Sequence, residues 1–144
     1  MDKFLNCTEV SKNKHITLSD HGRKVSVLNP SKKPVSKITF DNCVIKNEPA
    51  ADYLVAWDHQ IKVIFELKGR NVEHAIDQIY ASACKLKELN LDLTGTIGAI
   101  FCKQVPSGST TINRRKGKLL ADHKIKTSIS SSRYCFNIET LNFE

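Results

Sequence analysis

A chain of 144 residues, 40% of them hydrophobic, is long enough to bury one core and does not have the composition of a disordered polypeptide. No apolar run approaches the length of a membrane span and the start carries no signal-peptide pattern, so the expectation is a soluble, cytoplasmic protein with no membrane partner. Lys and Arg number 22 against 15 Asp and Glu, a net charge of +7 spread along the chain, which suits a polyanionic partner and equally suits a solvated basic surface.

The five cysteines, Cys7, Cys43, Cys84, Cys102 and Cys135, lie far apart, and no pair has the spacing of a zinc site. Four of them sit in apolar surroundings. They read as buried, inert thiols in a reducing, intracellular compartment.

Residues 1–22 are polar, with a weak helical tendency around Phe4-Leu5 and Glu9-Val10. Arg23–Leu28 reads as a strand, residues 29–34 as a turn, and residues 35–45 as a second strand alternating at Val35, Ile38 and Phe40, so that 23–45 reads as an extra β-hairpin. A loop over 46–50 containing Pro49 follows. Tyr53–Trp57 and residues 61–67 are strand-type runs flanking the polar break Asp58-His59-Gln60, which predicts an antiparallel hairpin. Gly69 is the expected end of its second strand. Asn71 is a good N-cap, and apolar residues at 72, 75, 76, 79, 83 and 86 predict an amphipathic helix over 72–89. Residues 93–102 are apolar enough for a strand buried on both faces, and strand, helix, strand predicts a parallel crossover. Val105-Pro106 closes that strand. A second helix is expected over 107–121, interrupted by Gly117, then two short closing strands over 124–130 and 133–138. With no repeat or linker, the reading is one domain over 1–144, α/β, with a mixed central β-sheet flanked by helices.

If Trp57 pairs with Ile61 across the polar break, Asp52 falls opposite Glu66. Glu66 and Lys68 are two apart on one strand and share a face. Three charged groups therefore meet at the open end of an otherwise apolar hairpin, where burial is expensive unless something compensates it. A divalent cation would. Asp52 and Glu66 are hard oxygen ligands suited to Mg²⁺ or Mn²⁺, with the Leu67 carbonyl as a third ligand. Lys68 beside them suits work on an attacking water. The same residues also fit a plainer arrangement, a Glu66–Lys68 ion pair at a strand end with Asp52 capping a loop.

Pro49, Asp52, thirteen intervening residues and then Glu66-Leu67-Lys68, set in the order strand, turn, strand, amphipathic helix, apolar strand, resemble the core of the PD-(D/E)xK, or restriction-endonuclease-like, nucleases. The likeness covers residues 49–102. It departs from the family pattern where Ala50 and Ala51 separate the proline from the aspartate. The resemblance implies a small endonuclease hydrolysing DNA, favoured over RNA, with Mg²⁺ or Mn²⁺ as cofactor and a homodimer as the working form. It also implies a metal-approaching glutamine on the helix, a part that Gln78 matches; Glu9 is a weaker match to an acidic residue on an N-terminal helix. Arg114, Arg115, Lys116 and Lys118, extended by Lys32, Lys33 and Arg70, suit phosphate contacts along a nucleic acid. The rival is a catalytically inactive module that binds nucleic acid or protein on the same fold.

Overall fold

Apolar residues at every second position, Ile16 and Leu18 before Gly22 and Val25 and Val27 after it, form a hairpin that a two-residue turn can close, and Gly22 takes φ 75° there. This hairpin seeds a second sheet. The computed structural model of the chain describes residues 2–20, 22–68, 71–105 and 109–144. A short 3₁₀ turn, Asp2–Cys7, leads into β1 (Thr8–Ser11), β2 (His15–Asp20), β3 (Arg23–Leu28), β4 (Val35–Thr39), β5 (Tyr53–Trp57) and β6 (Gln60–Lys68). Then follow α1 (Val72–Glu88), β7 (Ile97–Cys102), α2 (Thr110–His123), β8 (Thr127–Ser130), β9 (Cys135–Asn137) and β10 (Asn142–Phe143). The strands form a six-stranded sheet, β1-β4-β5-β6-β7-β8, and a four-stranded sheet, β10-β9-β3-β2.

The fold is mixed α/β in three layers. Alternate residues of β5, β6 and β7 enter two different cores. Leu54, Ala56, Ile64, Ile100 and Cys102 pack under the helices with Val72, Ile76, Ile79 and Leu86 of α1. Val55, Trp57, Val63, Phe65, Leu67 and Ala99 pack against Val25, Val27, Phe136 and Phe143 of the smaller sheet. Burial on both faces is why these strands read as continuous apolar runs. The expected crossovers are present: β6 pairs parallel with β7, and β7 parallel with β8. Gly98 allows the close approach of α1, because a Cβ there would meet two Ile79 side-chain carbons at 3.3 Å.

Three expectations are corrected. Residues 23–45 are not a hairpin: β3 pairs with β2 and β9, whereas β4 pairs with β1 and β5. The turn between them carries the chain from one sheet to the other. Asn29, fully buried, stitches this passage by donating to the carbonyls of Asn13 and Lys33 and accepting from the Lys33 N–H. Second, Cys7 and Cys43 are not thiols but a disulfide, so the set of five reduced cysteines does not hold. Tertiary packing brings the two together, since Phe4 beside one meets Phe40 beside the other edge-to-face. Third, Gly117 does not interrupt α2; it is an exposed position costing about 1 kcal/mol of helix propensity, too little to end a capped helix. The strand end expected at Gly69, the phosphate contact Arg70 and the junction at Pro106 and Ser107 lie outside the described residues.

Candidate active site

The β5–β6 hairpin turns on two residues, Asp58 and His59, both at positive φ (54° and 60°), as a type I′ turn requires. Trp57 therefore pairs with Gln60 and Ala56 with Ile61, one residue tighter than Trp57 opposite Ile61. A bulge restores the difference. Lys62 is left without an opposite residue in β5, and from Val55 opposite Val63 the register runs through Leu54–Ile64 to Tyr53–Phe65. The open end thus brings Asp52 beside Glu66, as read from the sequence, by a turn and a bulge that cancel.

The two carboxylates lock the strands reciprocally. The Asp52 N–H donates to Glu66 Oε1 at 3.0 Å, and the Leu67 N–H donates to Asp52 Oδ2 at 2.8 Å. Asp52 is 7% exposed and Glu66 1%. Burial raises the pKa of both. For Asp52 the next cause is a hydrogen bond with the Asp20 carboxyl, and for Glu66 it is the repulsion of Asp52, which Lys68 only partly offsets. Lys68 Nζ stands 3.9 Å from Glu66 Oε2, with a quarter of its side chain exposed. A small cavity of about 100 Å³ opens beside Asp52, lined also by Asp20, Thr39, Asp41, Asn42 and Tyr53.

Helix α1 is fastened to the segment just before Asp52. Ser82 Oγ accepts the Ala51 N–H at 2.7 Å while donating to the Gln78 carbonyl, and Gln78 Nε2 donates to the Ala50 carbonyl at 3.4 Å. Ala50 and Ala51, which separate Pro49 from Asp52, are fully buried here; small side chains let this stretch slip beneath the helix. Gln78 therefore touches the backbone leading to Asp52, while its buried Oε1 has no hydrogen-bond partner among the described residues.

The sequence reading missed Asp20 and Arg23. The tip of the β2–β3 hairpin reaches the mouth of β5–β6, where the Tyr53 hydroxyl donates to the Ser19 carbonyl at 2.6 Å and Arg23 Nε donates to the Lys68 carbonyl at 3.2 Å. The detectable signal is the alternation around Gly22, half of it in Arg23–Leu28, which reads as a strand, and half in residues 1–22, where β1 and β2 stand in place of the weak helical tendency expected around Glu9-Val10. The other candidates scatter. Glu9 lies on β1, paired with Lys37 at 3.1 Å. Asp58 forms the turn at the closed end, where Lys33 Nζ sits over the Trp57 ring, so Lys32 and Lys33 lie at the far end of β5 from Asp52. Arg115 is bonded to Asp77 and to the Glu73 carbonyl, and Lys118 lies over the Tyr80 ring. Arg114 is exposed and Lys116 half-buried. Among the described residues, the basic side chains named from the sequence lie at separate places: Lys32 and Lys33 by the closed end of the β5–β6 hairpin, and Arg114, Arg115, Lys116 and Lys118 on α2.

Among the described residues, no three His, Cys, Asp or Glu side chains are grouped to hold a metal ion. The chain matches no family model, no curated protein and no solved structure.

Proposed function

We propose that this protein is a metal-dependent nuclease with a restriction-endonuclease-like core, hydrolysing phosphodiester bonds of nucleic acid, DNA favoured, at Asp52, Glu66 and Lys68. One observation carries the reading: two carboxyls buried side by side, next to a lysine whose side chain is partly exposed; burial pushes the pKa of both carboxyls up. A fold that buries two acids and so raises their pKa gains from a cation that takes the place of their protons. Asp52 and Glu66 would hold Mg²⁺ or Mn²⁺. The Leu67 carbonyl suits a third position, because a strand residue sends its N–H and C=O to the same edge and the Leu67 N–H meets Asp52. The bound ion would supply a Lewis acid for a phosphoryl oxygen and acidify a water.

The Lys68 ammonium orients the attacking water and offsets negative charge gathering on the phosphoryl oxygens. Gln78 holds the backbone ahead of Asp52 against α1, keeping that carboxylate in register. A homodimer belongs to the same proposal, whereas the expected cytoplasmic location is at odds with the Cys7–Cys43 disulfide, because the cytosol keeps thiols reduced. No helix among the described residues is long and apolar enough to cross a membrane.

A second reading, a module that binds nucleic acid or protein without cutting, is favoured because, among the described residues, no three acidic, His or Cys side chains are grouped so as to hold a metal ion. Cleavage of linear, branched and single-stranded DNA in Mn²⁺ separates the two. The nuclease reading expects cutting that falls by about a hundredfold or more in Asp52→Ala and Lys68→Ala. A folded wild-type protein that cuts none of these substrates sinks it.

A further inference from the structure

The β2–β3 hairpin is not part of the segment that resembles a nuclease core, yet its tip lies on the site. Asp20 and Arg23 face each other in the register of that hairpin. Asp20 turns to Asp52, and Arg23 turns to the backbone of Lys68. Among the described residues no carboxylate lies within ion-pairing distance of Arg23. Arg23 is a half-buried residue, and among the described residues one of its five N–H groups is engaged, leaving a fork whose planar geometry matches a phosphate. The bond from Nε already restricts the side chain, so a ligand meets less entropic cost in ordering it.

The surrounding charge points the same way. Lys68, Lys103 and Arg133 stand at or just past the carboxyl ends of β6, β7 and β8, which lie side by side and run parallel. In open α/β sheets that edge is where ligands bind. Lys103 and Arg133 are exposed, and neither forms an ion pair among the described residues. An approaching polyanion would otherwise meet Asp20, Asp52 and Glu66, and a cation fixed beside Lys68 offsets that repulsion.

We infer that Arg23 is a substrate-binding residue that contacts a backbone phosphate next to the one cleaved, so that the β2–β3 hairpin supplies one wall of the nucleic-acid site. The inference rests on the nuclease reading. Its test separates the two, because it measures binding in a chain that does not need to cut.

In the Glu66→Gln background, binding of a labelled duplex oligonucleotide is followed across a series of salt concentrations. Arg23→Ala is expected to weaken binding about tenfold and to reduce the salt slope by about one, the signature of one lost phosphate contact. Arg23→Lys, which keeps the charge but not the bond to the Lys68 carbonyl, retains the slope. If Arg23 only braces Lys68, both variants weaken alike with the slope unchanged, and the inference is overturned while the nuclease reading stands. A Glu66→Gln protein that binds neither duplex nor single strand overturns the inference, and cleavage by the wild-type protein then decides the nuclease reading by itself. Should Arg23→Ala fail to fold, Arg23→Gln serves in its place with the same readout.

Discussion

Successive residues of β6 live under opposite rules. On the face toward the smaller sheet, Val63, Phe65 and Leu67 are fully buried, and Phe65 meets Phe136 and Phe143 edge-to-face at 5.5 and 5.9 Å. On the face toward α1 the same strand carries Ile64, then Glu66 and Lys68. One side spends its burial on packing alone. The other gives up packing at its open end to hold two carboxyls and an amine, and it is the side that the Cys7–Cys43 disulfide reinforces, through Phe4, Phe40 and Ile45 of the helix-side core. A strand fixed by aromatic packing on one face can carry a strained charge cluster on the other.

Breaking the aromatic face is expected to have the largest effect. Phe65→Ala removes the ring shared by two edge-to-face pairs and leaves a cavity between the sheets, a loss of about 3–5 kcal/mol. Urea unfolding measures it, and a loss below 1 kcal/mol would show that the smaller sheet does not support the site. The disulfide comes next. The Cys7→Ser, Cys43→Ser double variant should lose about 3–4 kcal/mol, the chain-entropy value for a separation of 36 residues. Wild-type protein in excess dithiothreitol should fall to the same denaturation midpoint. An unchanged midpoint in both means that the bond does not close in solution.

The smallest effect has the opposite sign. The pKa of Glu66 is raised in the fold, so the folded state binds this proton more tightly than the unfolded chain does. Its contribution is complete below the ordinary carboxylate range and is lost as pH rises through the folded value. Glu66→Gln keeps an oxygen for the Asp52 N–H and does not ionise in either state, so the penalty that grows with pH disappears. It should therefore stabilise the protein by about 1–3 kcal/mol at pH 8 and leave it near wild type at pH 4. Urea titrations at the two pH values decide, and a variant less stable than wild type at pH 8 would refute the strained-carboxylate account.

Much of this contrast was legible beforehand, with one instructive accident. The period of two put Glu66 and Lys68 on one face, and the period of 3.6 placed α1 within a residue of its end. The meeting of Asp52 with Glu66 was read from a looser turn than the one formed, and it survives because the bulge at Lys62 returns the residue that the Asp58-His59 turn removes. The fourteen-residue reach from Asp52 to Glu66 is short enough for local pairing to decide. The site's other contacts, from Asp20 and Arg23, come from another sheet, 32 and 45 residues away in sequence from Asp52 and Lys68 respectively.

The sequence by itself determined the order β5, β6, α1, β7, their mutual pairing and the face on which the charges lie. Each of these follows from side-chain periodicity and from contacts between neighbours along the chain. Only the tertiary structure decided that β3 and β4 part into different sheets, that Cys7 reaches Cys43, and that Arg23 of the β2–β3 hairpin bonds to the Lys68 carbonyl. Periodicity tells a strand which side to bury but not which layer will cover it. That choice is made by sheet-on-sheet packing between segments far apart in the chain, where no local pattern records the partner.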